Sequence, residues 1–274
     1  MGHAQLLSIH IHPVKAFRGQ SLREVVVEPW GPAGDRRWAL IDDGGRVVTQ
    51  RQQPRLALAA AELLPDGGLR LSAPGLEPLT VPVPEPGDTV SMEIFRDKVE
   101  GVPAGDAADA WCSAYLGAEV RLLHLDDPAA RRPVDPEYAR PGETVSFADG
   151  YPLLAVSAAS LDALNSLIAA GDHAVEGPLP MNRFRPNVVV GGTEPWAEDD
   201  WTRVEIGEVA FRVAKMCGRC VVTTTDQSTA ARGKEPLHSL GRHRRIGGKL
   251  VFGQNLVPLN RGTIRVGDTV RVVT

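Results

Sequence analysis

Short β-favouring runs, each cut off by Gly, Pro or Asp, fill the first hundred residues and constrain the fold more than any other feature of the chain. Residues 6–12, 24–28, 38–42, 47–50, 56–61, 69–72, 79–83 and 89–95 read as strands. Turn sequences such as Pro32-Ala33-Gly34-Asp35, Asp42-Asp43-Gly44-Gly45 and Asp66-Gly67-Gly68 separate them. So many short strands with close turns predict a small antiparallel barrel or sandwich.

Helical signals begin only after this region. Residues 106–116, DAADAWCSAYL, have an acidic start, good helix formers and Gly117 as a stop, and place Cys112 beside the core as a packing residue. A strand follows at 120–125. The clearest helix is 157–170, capped by Ser157 or Ser160, with Leu161, Leu164 and Ile168 on one apolar face. A short helix is expected at 235–245. A buried strand with a turn after it is expected at 188–192, strands in a pair around Gly207 and at 256–259, and a closing pair at 263–274 turns on Gly267-Asp268. The fold class is therefore mainly β with some helix, α+β.

Between these elements runs 126–152, proline-rich and long for a structureless connection. It reads either as a linker or as a loop over a cleft, with Arg131, Arg132 and Arg140 giving it a positive underside for an anionic ligand.

The chemistry concentrates in 216–226, MCGRCVVTTTD. A cysteine thiolate is a soft ligand, and Arg219 beside Cys220 favours its charged form. Three other readings stand beside that one. Cys220 can be a small buried hydrophobe. A four-cysteine zinc site fails because only Cys112 remains elsewhere. A thioredoxin-type pair needs a helix after the second cysteine, whereas 221–225 favour a strand; a reversible disulfide between Cys217 and Cys220 stays open. His10 and His12, two apart on one strand, share a face without a third ligand nearby in sequence, and are expected to be an ordinary satisfied pair. Pro186 is expected to hold Arg185 and Asn187 on extended backbone, where an arginine makes a fixed anion clamp; an ion pair with a nearby acid is the alternative. Val251–Asn255 reads as a turn that approaches a ligand.

Composition enters as a set of exclusions. With 30 basic and 34 acidic residues among 274 the net charge is −4, which gives no reason to expect nucleic acid. No apolar run approaches the ~20 residues of a membrane span, and the N-terminus lacks the pattern of a secretory signal. Three cysteines make no disulfide scaffold, so a reducing cytoplasm is the expected compartment.

Read together and in order, Pro13-Val14-Lys15, Gly34-Asp35-Arg36, Arg183-Phe184-Arg185-Pro186-Asn187, Gly218-Arg219-Cys220 with Thr223-Thr224, Phe252-Gly253-Gln254-Asn255 and Gly262-Thr263-Ile264-Arg265-Val266-Gly267-Asp268 resemble the MOSC (molybdenum cofactor sulfurase C-terminal) family, in its amidoxime-reducing branch with an N-terminal β-barrel domain. The resemblance implies a barrel-like domain over 1–125 and a MOSC β-barrel domain over 126–274, with a molybdenum cofactor (Mo-molybdopterin) between them. It implies Cys220 as metal ligand and Lys15, Arg36 and Arg185 as the grip on the cofactor phosphate. Asn187, Gly218, Arg219 and Asn255 would line the pterin, with Gly150 and Tyr151 on its other side and Asp226 near the substrate. Two departures stand out: Ala16 replaces the usual Ser, and Gly150 and Tyr151 replace small hydroxyl residues. The implied activity is two-electron reduction of an N-hydroxylated or N-oxide compound; a non-catalytic cofactor or sulfur carrier and a Cys217–Cys220 redox sensor are the alternatives. Three cysteines cannot hold a four-cysteine cluster, so electrons would come from a separate ferredoxin, flavodoxin or cytochrome-type protein with its reductase.

Overall fold

A computed structural model describes residues 4–95 and 97–274. Strands dominate, as expected, and they form four sheets. The largest has nine strands and runs Val270–Val273, Arg203–Ile206, Val209–Gly218, Lys249–Pro258, Leu153–Ser157, Val188–Gly191, Gln5–Ile11, Gln20–Leu22, with Arg245–Ile246 pairing off Lys249–Pro258. The first strand of the chain thus lies in one sheet with strands from the last third. Glu24–Glu28 repeats the pattern by pairing with Gly262–Arg265.

Two apolar cores support this arrangement. Leu6, Ile9 and Ile11 point inward from the first strand, whose register shifts between Leu6 and Ser8, and meet Val188, Val190, Val204, Phe211 and Leu256 under the large sheet. A second core gathers Trp38, Leu56, Leu69, Leu71 and Leu122 with Cys112 and Tyr115 of the helix Asp106–Leu116. That helix has the bounds expected from sequence, with Gly117 at φ 66° closing it. Ala158–Ala169 likewise begins at its Ser157 cap and buries Leu161, Leu164 and Ile168. Among the described residues no helix is long and apolar enough to cross a membrane.

Several local expectations fail for physical reasons. Residues 47–50 form only an isolated bridge to Ile41 and then turn, because Thr49 and Gln52 hydrogen-bond each other at 2.8 Å. The expected strand 56–61 opens instead as a 3-10 helix, Pro54–Leu58, started by Pro54. Gly267-Asp268 closes no hairpin: the strands on either side belong to different sheets, and Asp268 turns back to accept from Leu6 N at 2.9 Å. Val251–Asn255 is no turn, but the middle of the strand Lys249–Pro258. Gly253 sits there at φ 81°, where a Cβ would come 2.7 Å from the Ala155 carbonyl oxygen, so only glycine fits.

Candidate functional site

A cleft of about 1010 Å³ opens between the strand ends of the large sheet and the loops of the first half. Eight basic side chains line it against four acidic ones, although the whole chain is net negative. That local excess suits it to an anion. Lys15, Arg36, Gly150, Tyr151, Arg185, Asn187, Gly218, Arg219, Cys220 and Asn255 all face it. Asp226 does not.

Lys15 follows the first strand and is buried. Its Nζ donates to the Phe147 carbonyl at 2.8 Å and to Asp149 Oδ1 at 2.5 Å. Burial pulls its pKa down to about 8, with Asp149 resisting and Arg132 and Arg36 adding to the fall. Asp149 is held well below the usual carboxylate range, against its own desolvation, by Lys15 and Arg51.

Arg36 projects from a turn in which its own φ is 47°. Its guanidinium donates to Asp35 Oδ2 at 2.6 Å and Asn187 Oδ1 at 3.0 Å. Asp35 is buried; desolvation would raise its pKa, but Arg36 and His12 hold it lower. Arg185 is left-handed, φ 53° and ψ 47°, at the end of the 3-10 helix Met181–Phe184, not extended as the following proline suggested. The turn aims its guanidinium at the Phe17 carbonyl, 2.7 Å away. Burial and then Arg36 pull the Arg185 pKa down to about 9. Lys15 and Arg185, each with its pKa pulled down by desolvation and by neighbouring cations, are suited to a phosphate dianion.

Asn187 is a hub more than a free donor. Its Oδ1 accepts from Leu154 N at 3.1 Å as well as from Arg36, and its Nδ2 donates to the His10 carbonyl at 3.1 Å. On the far wall Tyr151 donates to Asp135 Oδ2 at 3.0 Å, and Lys215 Nζ lies 5.1 Å from its ring centroid. Gly150 has open space where a Cβ would stand.

Cys220 is half-buried and sits at the start of a 3-10 turn, Val221–Thr224. This replaces the expected strand. The Cys220 carbonyl accepts from Thr223 N at 3.0 Å and Thr223 Oγ1 at 2.8 Å, so the threonine hydroxyl overrides β-branched propensity. Arg219 lies across the gap, donating to Phe184 O at 2.6 Å and Cys217 Sγ at 2.9 Å. Cys112, Cys217 and Cys220 are all free thiols. Cys112 packs as expected, with burial pushing its pKa up to about 12.

Asp226 is committed elsewhere. Its carboxylate accepts from Ser228 Oγ at 2.5 Å and from the Ser228 and Thr229 amides, and it pairs with Arg183 at 3.0 Å. The expected positive underside of 126–152 also dissolves. Arg131 is captured by Asp126 at 2.8 Å, and Arg132 by Asp97 at 2.9 Å and by the carbonyls of Ser146, Ala148 and Asp149. Arg140 is exposed and outside the cleft. The loop offers Asp135, Glu137 and Asp149 to the cleft instead. His10 is bonded by Ser8 and Ser21, and His12 is buried against Asp35; among the described residues no three His, Cys, Asp or Glu side chains gather as metal ligands.

Arg51 is a cleft residue that sequence reading missed. It pairs with Asp149 at 3.4 Å, and Asp149 and Cys220, outweighing its desolvation, raise its pKa. Nothing in Gln50-Arg51-Gln52 sets it apart from an ordinary surface arginine.

Residues 3–119 match the model of the MOSC N-terminal beta barrel domain, and residues 142–271 that of the MOSC domain. The chain is 34% identical over 279 residues to mitochondrial amidoxime-reducing component 1 of Homo sapiens, covering 95% of this chain and 80% of that protein. The corresponding protein of Mus musculus is also 34% identical, over 95% of this chain and 79% of its own length. Molybdenum cofactor sulfurase of Danio rerio is 31% identical over 264 residues, which span 90% of this chain and 31% of that protein.

Proposed function

The chain belongs to the MOSC family, and on that premise we propose that it is a molybdenum-cofactor-dependent reductase of N-hydroxylated compounds. The observation that carries this reading is the meeting of Cys220 with Lys15, Arg36 and Arg185 around one cleft, although more than two hundred positions separate the first of these from the last. The donor set fits the cofactor: a buried lysine and half-buried arginines for a phosphate, and a cleft-facing thiol at Cys220, with a second at Cys217, for a soft metal.

In this reading Lys15, Arg36 and Arg185 hold the phosphate. Asn187, Gly218, Arg219 and Asn255 lie along the pterin, Gly150 and Tyr151 close its other side, and the Cys220 sulfur ligates the metal. Asp226 acts at one remove, fixing Arg183 and the loop that follows Cys220. Ala16 brings no hydroxyl to the phosphate; its carbonyl instead accepts from Gln50 Nε2 at 2.7 Å and holds the Lys15 turn in place. When bound, the cofactor supplies the two-electron redox chemistry, while the protein supplies orientation and a shielded pocket. The overall change breaks the N–O bond: substrate, two electrons and two protons give the amidine or amine and water.

Electrons are proposed to come from a separate ferredoxin, flavodoxin or cytochrome-type protein. Cys112 is sealed in the first core and far from the other two thiols in sequence, so the chain offers no four-thiolate cluster. The similarity to a sulfurase favours a second reading, a cofactor or sulfur carrier without turnover.

Metal analysis of protein produced with ample molybdate, followed by benzamidoxime reduction with an artificial electron donor, tests both. Stoichiometric molybdenum with turnover is expected; bound molybdenum without turnover would favour the carrier. Cys220→Ser should abolish turnover and Cys217→Ser should be mild, since Cys217 packs against Phe184 and Phe252 and bonds Arg219. Equal losses would contradict a single sulfur ligand.

A further inference from the structure

Phe95 stands at the tip of a hairpin, directly after Ile94, which pairs with Asp97. Its side chain is 58% exposed, and its φ of 57° lies in the left-handed region that suits Gly or Asn far better than a bulky residue. Among the described residues it is the one exposed large apolar side chain that lines the cleft. It also borders a recess of about 230 Å³ that shares Lys15, Thr49 and Arg51 with the cleft. The tight hairpin itself calls for a positive φ, so what marks the residue is its exposed ring at the edge of the cleft.

One face of the ring is already taken. The Arg51 guanidinium carbon stands 5.0 Å from the ring centroid. Arg51 is itself fixed, by Asp149 at one end of its side chain and by Arg232, which donates to its backbone carbonyl at 2.8 Å. A ring braced on one side by a cation and more than half exposed is a stacking platform, since a flat π system can lie against it.

We propose that Phe95 is a specificity-determining residue that stacks against a planar aromatic group carried by the N-hydroxylated substrate, with Arg51 bracing its other face. The proposal rests on the reductase reading. An arene conjugated to an amidoxime is flat, so its ring can lie on Phe95 while the N–O group reaches deeper toward Cys220. An aliphatic amidoxime has no such surface and gains nothing from the platform.

The test reads turnover and binding separately on the cofactor-loaded protein. One ratio compares kcat/KM for benzamidoxime with that for acetamidoxime; the other compares the affinity for benzamidine with that for acetamidine, the corresponding amidine products. Phe95→Leu keeps apolar bulk and removes the π face, and Phe95→Trp keeps the face. The exposed position lets both variants fold. Phe95→Leu should lower both ratios by about three- to tenfold, while Phe95→Trp retains them. Ratios within twofold of the wild type in Phe95→Leu, or equal losses for aromatic and aliphatic compounds, would overturn the proposal. Should the wild type reduce neither amidoxime, the reductase reading fails, and the benzamidine-to-acetamidine ratio still decides the role of Phe95.

Discussion

Lys15 shows what a single residue can and cannot reveal in sequence. Its position after Pro13-Val14 marked it as a phosphate contact only through resemblance; its physical reason is burial beside Arg36 and Arg132, which a linear reading cannot contain. With its folded pKa near 8, below the ordinary 10.5, the folded protein binds fewer protons than the unfolded chain between those values. Lys15 alone therefore makes stability rise with pH through that window, its penalty being complete below pH 8. A bound anion reverses the sign by favouring the ammonium. Sulfate, whose charge is constant over this range, should accordingly bind the cofactor-free protein more tightly at pH 7 than at pH 9, by up to about tenfold. Lys15→Met should weaken binding at pH 7 roughly tenfold and flatten this dependence, both read by calorimetric titration. A slope that survives the substitution would assign it to another group. Arg51 was illegible for the same reason: only folding brings Asp149, Phe95 and Cys220 to its side chain.

At the scale of elements, regular periodicity was readable and local hydrogen bonding was not. The helix Asp106–Leu116 follows from its acidic start and Gly117 stop, and Ala158–Ala169 from its Ser157 cap and apolar face, all of which are local. The 3-10 turn Val221–Thr224 was misread as a strand because β propensity reflects neighbouring strands, and here threonine hydroxyls bond back to the carbonyls of Cys220 and Val221 instead. Gly253 is the opposite error, a glycine read as a turn inside a continuous strand. That strand, Lys249–Pro258, is paired on both sides, with Leu153–Ser157 and with Val209–Gly218, and carries Asn255 to the cleft. Alanine at 253 would need a left-handed backbone and would drive its Cβ to 2.7 Å from the Ala155 carbonyl oxygen. Gly253→Ala should cost roughly 2–3 kcal/mol in urea unfolding, and Gly207→Ala, at a turn where the nearest atom is the Asp268 carboxylate, should cost less. Equal losses would show that backbone contact inside the sheet is not the deciding factor.

Over the whole molecule, the cleft depends on two halves being held in register, and a buried amide pair is one device that does it. Gln50 and Gln227 are both buried and exchange side-chain hydrogen bonds at 3.2 and 3.0 Å. The other bonds of the two amides go to Ala16 O at 2.7 Å and Thr225 O at 3.1 Å, so the pair links the turn carrying Lys15 to the segment that follows Cys220. Arg232 adds bonds to the carbonyls of Gln50 and Arg51. Neither glutamine carries chemistry of its own, and no spacing in the sequence announces that residues 177 apart will meet. Removing one partner leaves the other buried amide unsatisfied, which costs about 1–3 kcal/mol, whereas replacing both with apolar groups removes the mismatch. Gln50→Leu and Gln227→Leu should therefore each destabilise, while the double variant loses less than the sum of the two in urea unfolding. Sulfate affinity should behave differently. It depends on where the cations stand more than on whether the amides are satisfied, so the double variant should keep the weakened binding of the singles even as its stability recovers. Recovery of both together would mean that apolar packing alone sets the register of the cleft, and that the polar pair is dispensable.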